Sequence, residues 1–223
     1  MQVGWSGVRE RVIAVAEAEN RVRGFGPLGY ELFEPVLTLA EIAEVEAHLG
    51  VGLPDEYRTF LAEVGAGGPG PALHLTSLRR IDGRWGWVWD DDEERPWLLD
   101  PTGPFVETQD WPDRQIATLR AAGFEPTTRD AEDDYLDDYR RAFGDEGDNV
   151  FFLDRGRGAI LISDNGCAMT GWLILVGPHR GELRHRDDGP NPPFRPYVDA
   201  ERNPHTFRTW YLTWLERREA ALL

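Results

Sequence analysis

Apolar positions in this chain switch between a helical period and a strand period in a readable order. From Leu53 to Gly65 the apolar residues Tyr57, Phe60, Leu61 and Val64 recur at i, i+3, i+4 and i+7, one helical stripe. Pro54 suits a helix start, Asp55 and Glu56 complement the positive end of its dipole, and Gly65 suits a left-handed stop. The turn Ala66-Gly67-Gly68-Pro69-Gly70-Pro71 excludes further regular structure. Upstream, residues 8–23 carry Val8, Val12, Val15 and Val22 among Arg and Glu, an amphipathic helix. Thr38 and Glu41 form a capping box ahead of a helix over 39–49 that stops at Gly50.

Strand patterns follow the glycine turn. Ala72 to Ile81 and Arg84 to Trp89 flank Asp82-Gly83, a two-residue hairpin signal, with Trp85, Trp87 and Trp89 on one face. Helical patterns resume over 113–122 and 130–143 between scattered prolines. Asn149–Leu153 and Ala159–Ser163 read as strands joined by the hairpin-length loop 154–158. Met169–Val176 reads as a buried strand that turns through 177–181 into a strand over 182–186, and 187–196 reads as a Pro-rich loop. A last helix opens with Asn203 as cap and Pro204 in the first turn. Its apolar stripe is Phe207, Trp210, Tyr211, Trp214 and Leu215.

This order predicts an α+β fold: N-terminal helices, a mostly antiparallel β-sheet, and a C-terminal amphipathic helix packed on it. Residues 1–223 read as one domain, with 1–36 as an N-terminal helical extension. The acidic stretch 95–148 reads as an elaboration, since it has few contiguous apolar residues for a core of its own.

Charge narrows the partner. The chain carries 40 acidic against 24 basic residues, a net −16, and every basic residue is Arg. That balance disfavours direct nucleic-acid binding and an anionic membrane surface, and it favours a basic protein drawn in over long range. One cysteine leaves no internal disulfide, and no apolar run approaches the ~18 residues of a membrane span. No basic head precedes a long apolar run at the N-terminus, so the expected location is the cytoplasm.

Catalytic chemistry is sparse. Cys167 has no histidine close in sequence to activate it, and a buried structural cysteine is the simpler reading. His185 with Asp187 and Asp188 supplies too few converging donors for zinc, and the other histidines form no motif. The run Asp90, Asp91, Asp92, Glu93 and Glu94 and the cluster Asp133, Asp134, Asp137 and Asp138 lack the calcium-loop spacing. These nine acids are the candidate partner-binding residues, read as a steering surface. The glycine turn lacks the Lys and Ser/Thr of a phosphate loop. Neither a cofactor nor a metal is expected.

The segment Leu53-Pro54-x-x-Tyr57-x-x-Phe60-Leu61 running into Gly67-Gly68-Pro69-Gly70 resembles the SUKH superfamily, which includes the fungal Smi/Knr cell-wall regulators and bacterial immunity proteins. The likeness extends through Asp100-Pro101, Pro104-Phe105 and Trp111, then Asp164-Asn165-Gly166-Cys167 with Trp172 to Pro178, Gly181 to Arg184, and Phe207 to Leu215. Ala168 stands where a second glycine is usual, His185 and its neighbours replace a common Trp, and 130–148 has no counterpart. The resemblance implies a non-enzymatic protein-binding domain, an immunity protein that holds a toxin such as a nuclease or deaminase inactive. The alternatives are a regulator or scaffold of cell-wall synthesis and, from another class, a small-molecule hydrolase using Cys167.

Overall fold

The stretch with the strongest helical pattern becomes a hub. It folds as α3 (Asp55–Glu63), with Pro54 just outside it as N-cap. The computed structural model describes residues 4–88, 100–105, 111–127, 135–166, 169–186 and 194–222. Within these, α3 is held by several distant segments. Tyr57, Phe60 and Leu61 are buried, and the Tyr57 hydroxyl accepts the Trp87 indole N–H at 2.8 Å. Trp5 donates its indole N–H to the Glu56 carbonyl and the Thr59 hydroxyl, both at 3.0 Å. The Glu63 carboxylate accepts the Trp5 backbone N–H at 2.7 Å.

Gly65 does not supply a left-handed stop. The helix closes on Val64 in the right-handed region, with its N–H on the Phe60 carbonyl. Gly65 is needed for room instead: a Cβ there would lie 2.9 Å from the Glu34 carbonyl oxygen and 3.1 Å from the Phe33 Cβ. Gly68 adds a left-handed φ of +128°, and its Cβ would lie 2.6 Å from the Leu32 carbonyl oxygen. The cause is a strap, residues 32–37, laid over the glycine turn. Glu34 N–H donates to Gly67, Leu37 N–H donates to Leu61, and Ala66 N–H donates to Pro35. Those contacts join segments about thirty residues apart, which a local pattern does not contain.

Two more helices precede the hub, α1 (Val8–Val22) and α2 (Leu39–Leu49). The capping box forms as expected, with Thr38 and Glu41 exchanging hydrogen bonds of 2.8 and 3.2 Å. The expected strand over 72–81 is divided. β1 (His74–Leu75) joins a five-stranded sheet and β2 (Ser77–Ile81) pairs with β3 (Arg84–Val88). Thr76 makes the switch, its N–H and hydroxyl reaching the carbonyls of Ile162 and Leu161 in the larger sheet. Asp82 and Gly83 turn the hairpin at φ of +52° and +78°, as a two-residue turn requires. Trp85 and Trp87 are buried, so this face of the hairpin serves the core; Trp89 lies outside the described residues.

The larger sheet runs β1, β4 (Ala159–Asp164), β5 (Thr170–Ile174), β6 (Leu183–Arg186), β7 (Phe194–Pro196), each neighbour antiparallel. The strand β7 falls where only a loop was expected. Alternation along β4 and β5 gives the sheet two apolar faces. Ile160, Ile162, Leu173 and Leu183 join the helices in the main core. Ala159, Leu161, Trp172 and Phe194 form a second cluster, with Phe105 packed on it.

Between the hairpin and β4 lie α4 (Trp111–Ala121), α5 (Leu136–Phe143), a 3-10 turn (Gly144–Glu146) and α6 (Gly147–Gly156). Residues 149–153 are therefore helical, not a strand. A short apolar run fits either period, and here a neighbour decides. Phe151 packs with Leu119, Tyr135 and Tyr139 in a small core shared by α4, α5 and α6. The paucity of apolar residues in 95–148 thus did not prevent a local core. It is completed by Phe151 from beyond that stretch and by a buried polar hub. The Asp154 carboxylate accepts from Arg114 at 2.9 Å, Tyr139 at 2.8 Å and Thr118 at 3.1 Å. Burial first, and the adjacent Asp154 charge second, push the Tyr139 phenol far above its ordinary value. Gln115 of α4 is also buried, and neither of its amide atoms has a hydrogen-bond partner among the described residues.

The chain closes with α7 (Phe207–Ala220), whose N-cap is Thr206 rather than Asn203. Thr206 and Thr209 bond reciprocally, while Asn203 is drawn back to Asp199. The Glu56 carboxylate of α3 accepts the Arg208 N–H at 3.0 Å, adding a negative charge to the positive end of α7. Just before this cap His205 is buried, with Nδ1 3.0 Å from the Thr209 hydroxyl. Burial lowers its pKa below 6.5; Asp199 opposes the shift and Arg217 adds to it. The unfolded chain therefore takes up this proton first as pH falls. His205 should contribute stability that is complete above pH 6.5 and is lost as pH falls from there through the lower folded pKa. Denaturant midpoints measured on both sides of pH 6.5 should diverge in the wild type and diverge less in His205→Asn; equal divergence would remove His205 as the cause.

Candidate protein-binding surface

The acids of the chain are concentrated in one stretch of sequence, which includes α4 and α5. Residues 89–148 contain 19 acidic and six basic residues, a net −13 of the chain's −16. Of the nine acids expected to bind a partner, Asp90, Asp91, Asp92, Glu93, Glu94, Asp133 and Asp134 lie outside the described residues. Asp137 is exposed on the first turn of α5 and pairs with Arg140 at 3.3 Å. Asp138, by contrast, is buried at 1% exposure. Its carboxylate accepts the Thr127 N–H at 2.7 Å and the Thr127 hydroxyl at 2.5 Å, and pairs with Arg141 at 3.1 Å. It anchors the 124–127 segment to α5 and leaves the set of surface acids. Adjacent positions on a helix point about 100° apart, so one of two neighbouring acids turns inward while the other turns out.

Other acids of this region are partly neutralised in place. Arg140 forks onto Asp148 at 2.6 and 3.1 Å, and that hydrogen-bonded cation holds the Asp148 carboxyl below its ordinary range. Arg120 pairs with Glu125 at 2.7 Å. Asp113, Asp145 and Glu146 remain exposed, and among the described residues no cation is placed against them.

Of the remaining candidates, only His185 lies among the described residues. The His185 ring lies 4.9 Å from the Tyr197 ring, while Asp187 and Asp188 lie outside the described residues. Cys167 does too. Its flanks close the β4–β5 hairpin, with Met169 N–H on the Gly166 carbonyl at 2.9 Å and Asn165 N–H on the Met169 carbonyl at 3.0 Å. Among the described residues no cluster of three or more His, Cys, Asp and Glu could hold a metal, and no helix is long and apolar enough to cross a membrane.

Sequence reasoning did not find a cleft of about 640 Å³ between the hairpin and the three-helix cluster. Leu49, Trp85 and Trp87 line one side and Val150, Leu153 and Asp154 the other, with the Arg157–Asp100 ion pair at 2.8 Å also in its lining. It forms where 100–105 lies against the start of β4. Gly158, at φ +75°, leaves no room for a Cβ there: that atom would sit 2.4 Å from the Phe105 nitrogen. No motif marks such a meeting of distant segments.

A helical hub carrying Leu53, Pro54, Tyr57, Phe60 and Leu61, a glycine turn packed under a strap, and a mostly antiparallel sheet define an α+β fold. The model of the SMI1 / KNR4 family (SUKH-1) matches residues 36–170, and the chain belongs to that family. No curated protein and no solved structure matches the chain.

Proposed function

We propose that this member of the family is a non-enzymatic protein-binding domain acting in the cytoplasm, an immunity protein that neutralises a basic toxin such as a nuclease or deaminase. The observation that supports this reading is the concentration of net charge −13 within residues 89–148, a stretch that includes helices α4 and α5. Such a surface attracts a protein built to bind phosphate. Complementary charge raises association rates from about 10⁵–10⁶ to 10⁸–10⁹ M⁻¹s⁻¹ at low salt, and salt cancels the gain.

The test compares the wild type with a variant in which Asp90, Asp91, Asp92, Glu93 and Glu94 become Asn or Gln. Each is used to retain protein from its native cell extract at low and at high salt. A partner of basic composition held by the wild type, released by salt and held at least tenfold less by the variant is the expected result. Equal retention by both proteins, or retention indifferent to salt, would count against steering by these acids. No retained partner would count against protein binding itself.

A further inference from the structure

The cleft between the hairpin and the three-helix cluster has a strand edge for one wall. Arg84, Trp85, Gly86 and Trp87 all line it, and no residue of β2 does. Successive side chains of a strand point to opposite faces, so a run of consecutive residues shares one wall only along the strand's edge. The pairing fixes which backbone groups lie on that edge. The Asp82-Gly83 turn closes on Ile81 with Arg84, and the register continues through Arg80 with Trp85, Arg79 with Gly86 and Leu78 with Trp87. A two-residue turn closes on a hydrogen-bonded pair, and bonded and non-bonded pairs alternate from there. Trp85 and Trp87 fall at the non-bonded positions. Leu78 confirms the phase: its N–H turns away from β3 to the Ala66 carbonyl at 2.7 Å. Its opposite number Trp87, and Trp85 with it, therefore turn their backbone N–H and C=O groups away from β2, toward the cleft.

Among the described residues nothing takes up those groups. β2 is the only strand paired with β3, and no other backbone hydrogen bond reaches Trp85 or Trp87. Both residues are buried, at 8% and 1% exposure, which leaves little water to serve instead. Unpaired backbone in that setting is costly, and a free edge is a template for a further strand. Proline, a common guard of such edges, is absent from β3. The rest of the cleft suits an extended guest. Leu49 and, opposite, Val150 and Leu153 offer apolar contact. Arg84, next to the turn, and His48 also line it. Both are exposed, and among the described residues no acid is placed against either. The volume of about 640 Å³ is that of a ligand site.

We propose that this cleft binds an extended segment of a partner protein, which adds to the outer edge of β3 as a strand. The guest's backbone bonds the N–H and C=O groups of Trp85 and Trp87. Its alternate apolar side chains meet the cleft walls, and an acidic residue pairs with Arg84. In strand addition the main-chain bonds supply affinity, and contacts to alternate side chains supply selectivity. A guest run of about five residues, ~17 Å long, matches the length of β3, Arg84–Val88. Strand addition rests on the reading of the chain as a protein-binding domain, and not on the acidic stretch.

Selection of short random peptides, displayed as a library, on the full chain tests it. The recovered peptides should alternate apolar residues and carry an acid beside that run. One of them is then remade with N-methyl groups on alternate backbone nitrogens, once in each phase. The phase that faces β3 should bind about tenfold less or weaker still, and the other phase should bind as before. Leu153→Arg, at a half-buried side chain of the opposite wall, should weaken binding by a similar factor. The amide protons of Trp85 and Trp87 should exchange with solvent more slowly once peptide is bound. Recovery of no alternating sequence, binding indifferent to N-methylation in both phases or to Leu153→Arg, or amides that exchange as fast in the complex would each overturn strand addition. None of those results would bear on the salt-dependent retention tested for the acidic stretch.

Discussion

A chain ending at Asp199 is expected to lose cooperative folding and to precipitate. The truncation removes α7, whose Phe207, Trp210, Tyr211 and Leu215 are all buried. Its rings are the centre of the aromatic core. Phe207 meets Tyr57 at 4.9 Å and Phe60 at 5.0 Å, and Tyr211 meets Phe60 at 4.9 Å, all edge to face. Three such rings bury about 600 Å², worth about 15 kcal/mol at ~25 cal/mol per Å², an upper estimate. That matches or exceeds the whole stability of an ordinary domain, about 5–15 kcal/mol. Polar anchors go with it: the Tyr211 hydroxyl on the Pro69 carbonyl at 2.8 Å, and Glu219 paired with Arg11 at 2.7 Å. The family match ends at residue 170, so the truncated chain retains every family-matched residue. Soluble recovery with a sigmoidal thermal transition would show that residues 1–199 fold without α7, and would refute the central place given to that helix.

Trp5→Ala should cost about 3–5 kcal/mol, the range for deleting a large buried ring. Trp5 is 2% exposed and packs edge to face on Phe60, Phe207 and Tyr211 at 5.1 to 5.9 Å. Its loss also leaves the Glu56 carbonyl without the indole N–H. Trp5→Phe keeps a ring and loses the hydrogen bonds, so it should cost roughly 1–2 kcal/mol, near the worth of the bonds alone. Chemical denaturation of the three proteins measures both numbers. A Trp5→Ala midpoint close to wild type would mean that the segment before α2 is an appendage. The structure says otherwise: Val8, Val12 and Val15 continue the same core, so the expected N-terminal extension is part of the body of the fold.

The balance between pattern and packing can be read residue by residue. Helices α1, α2, α3 and α7 and the β2–β3 turn were legible because their determinants are local. An apolar stripe at i, i+3, i+4 and i+7, a Thr–Glu box and an Asp-Gly turn act within a few residues of themselves. Legible too was the antiparallel α+β arrangement, since hairpin-length links leave adjacent strands little choice. The candidate surface was legible only as composition. The sequence supplies its acids, and among those described the fold turns Asp138 inward and Asp137 outward.

What sequence alone determined, then, is where regular structure starts, which face of each major helix is apolar, and how much negative charge the molecule carries. Only the tertiary structure decided that 149–153 is helical, that 74–75 and 77–81 serve different sheets, that Gly65 is small for the sake of a strap, and that Thr206 rather than Asn203 caps α7. The first three depend on contacts outside the local pattern: Phe151 on Tyr139's cluster, Thr76 on β4, Gly65 on Glu34; the cap is settled nearby, where Asp199 holds Asn203 and Thr209 answers Thr206. Local propensities differ by less than about 1 kcal/mol per residue, while burial of one large side chain is worth about 1.5–3 kcal/mol. Where the two disagree, the distant neighbour wins.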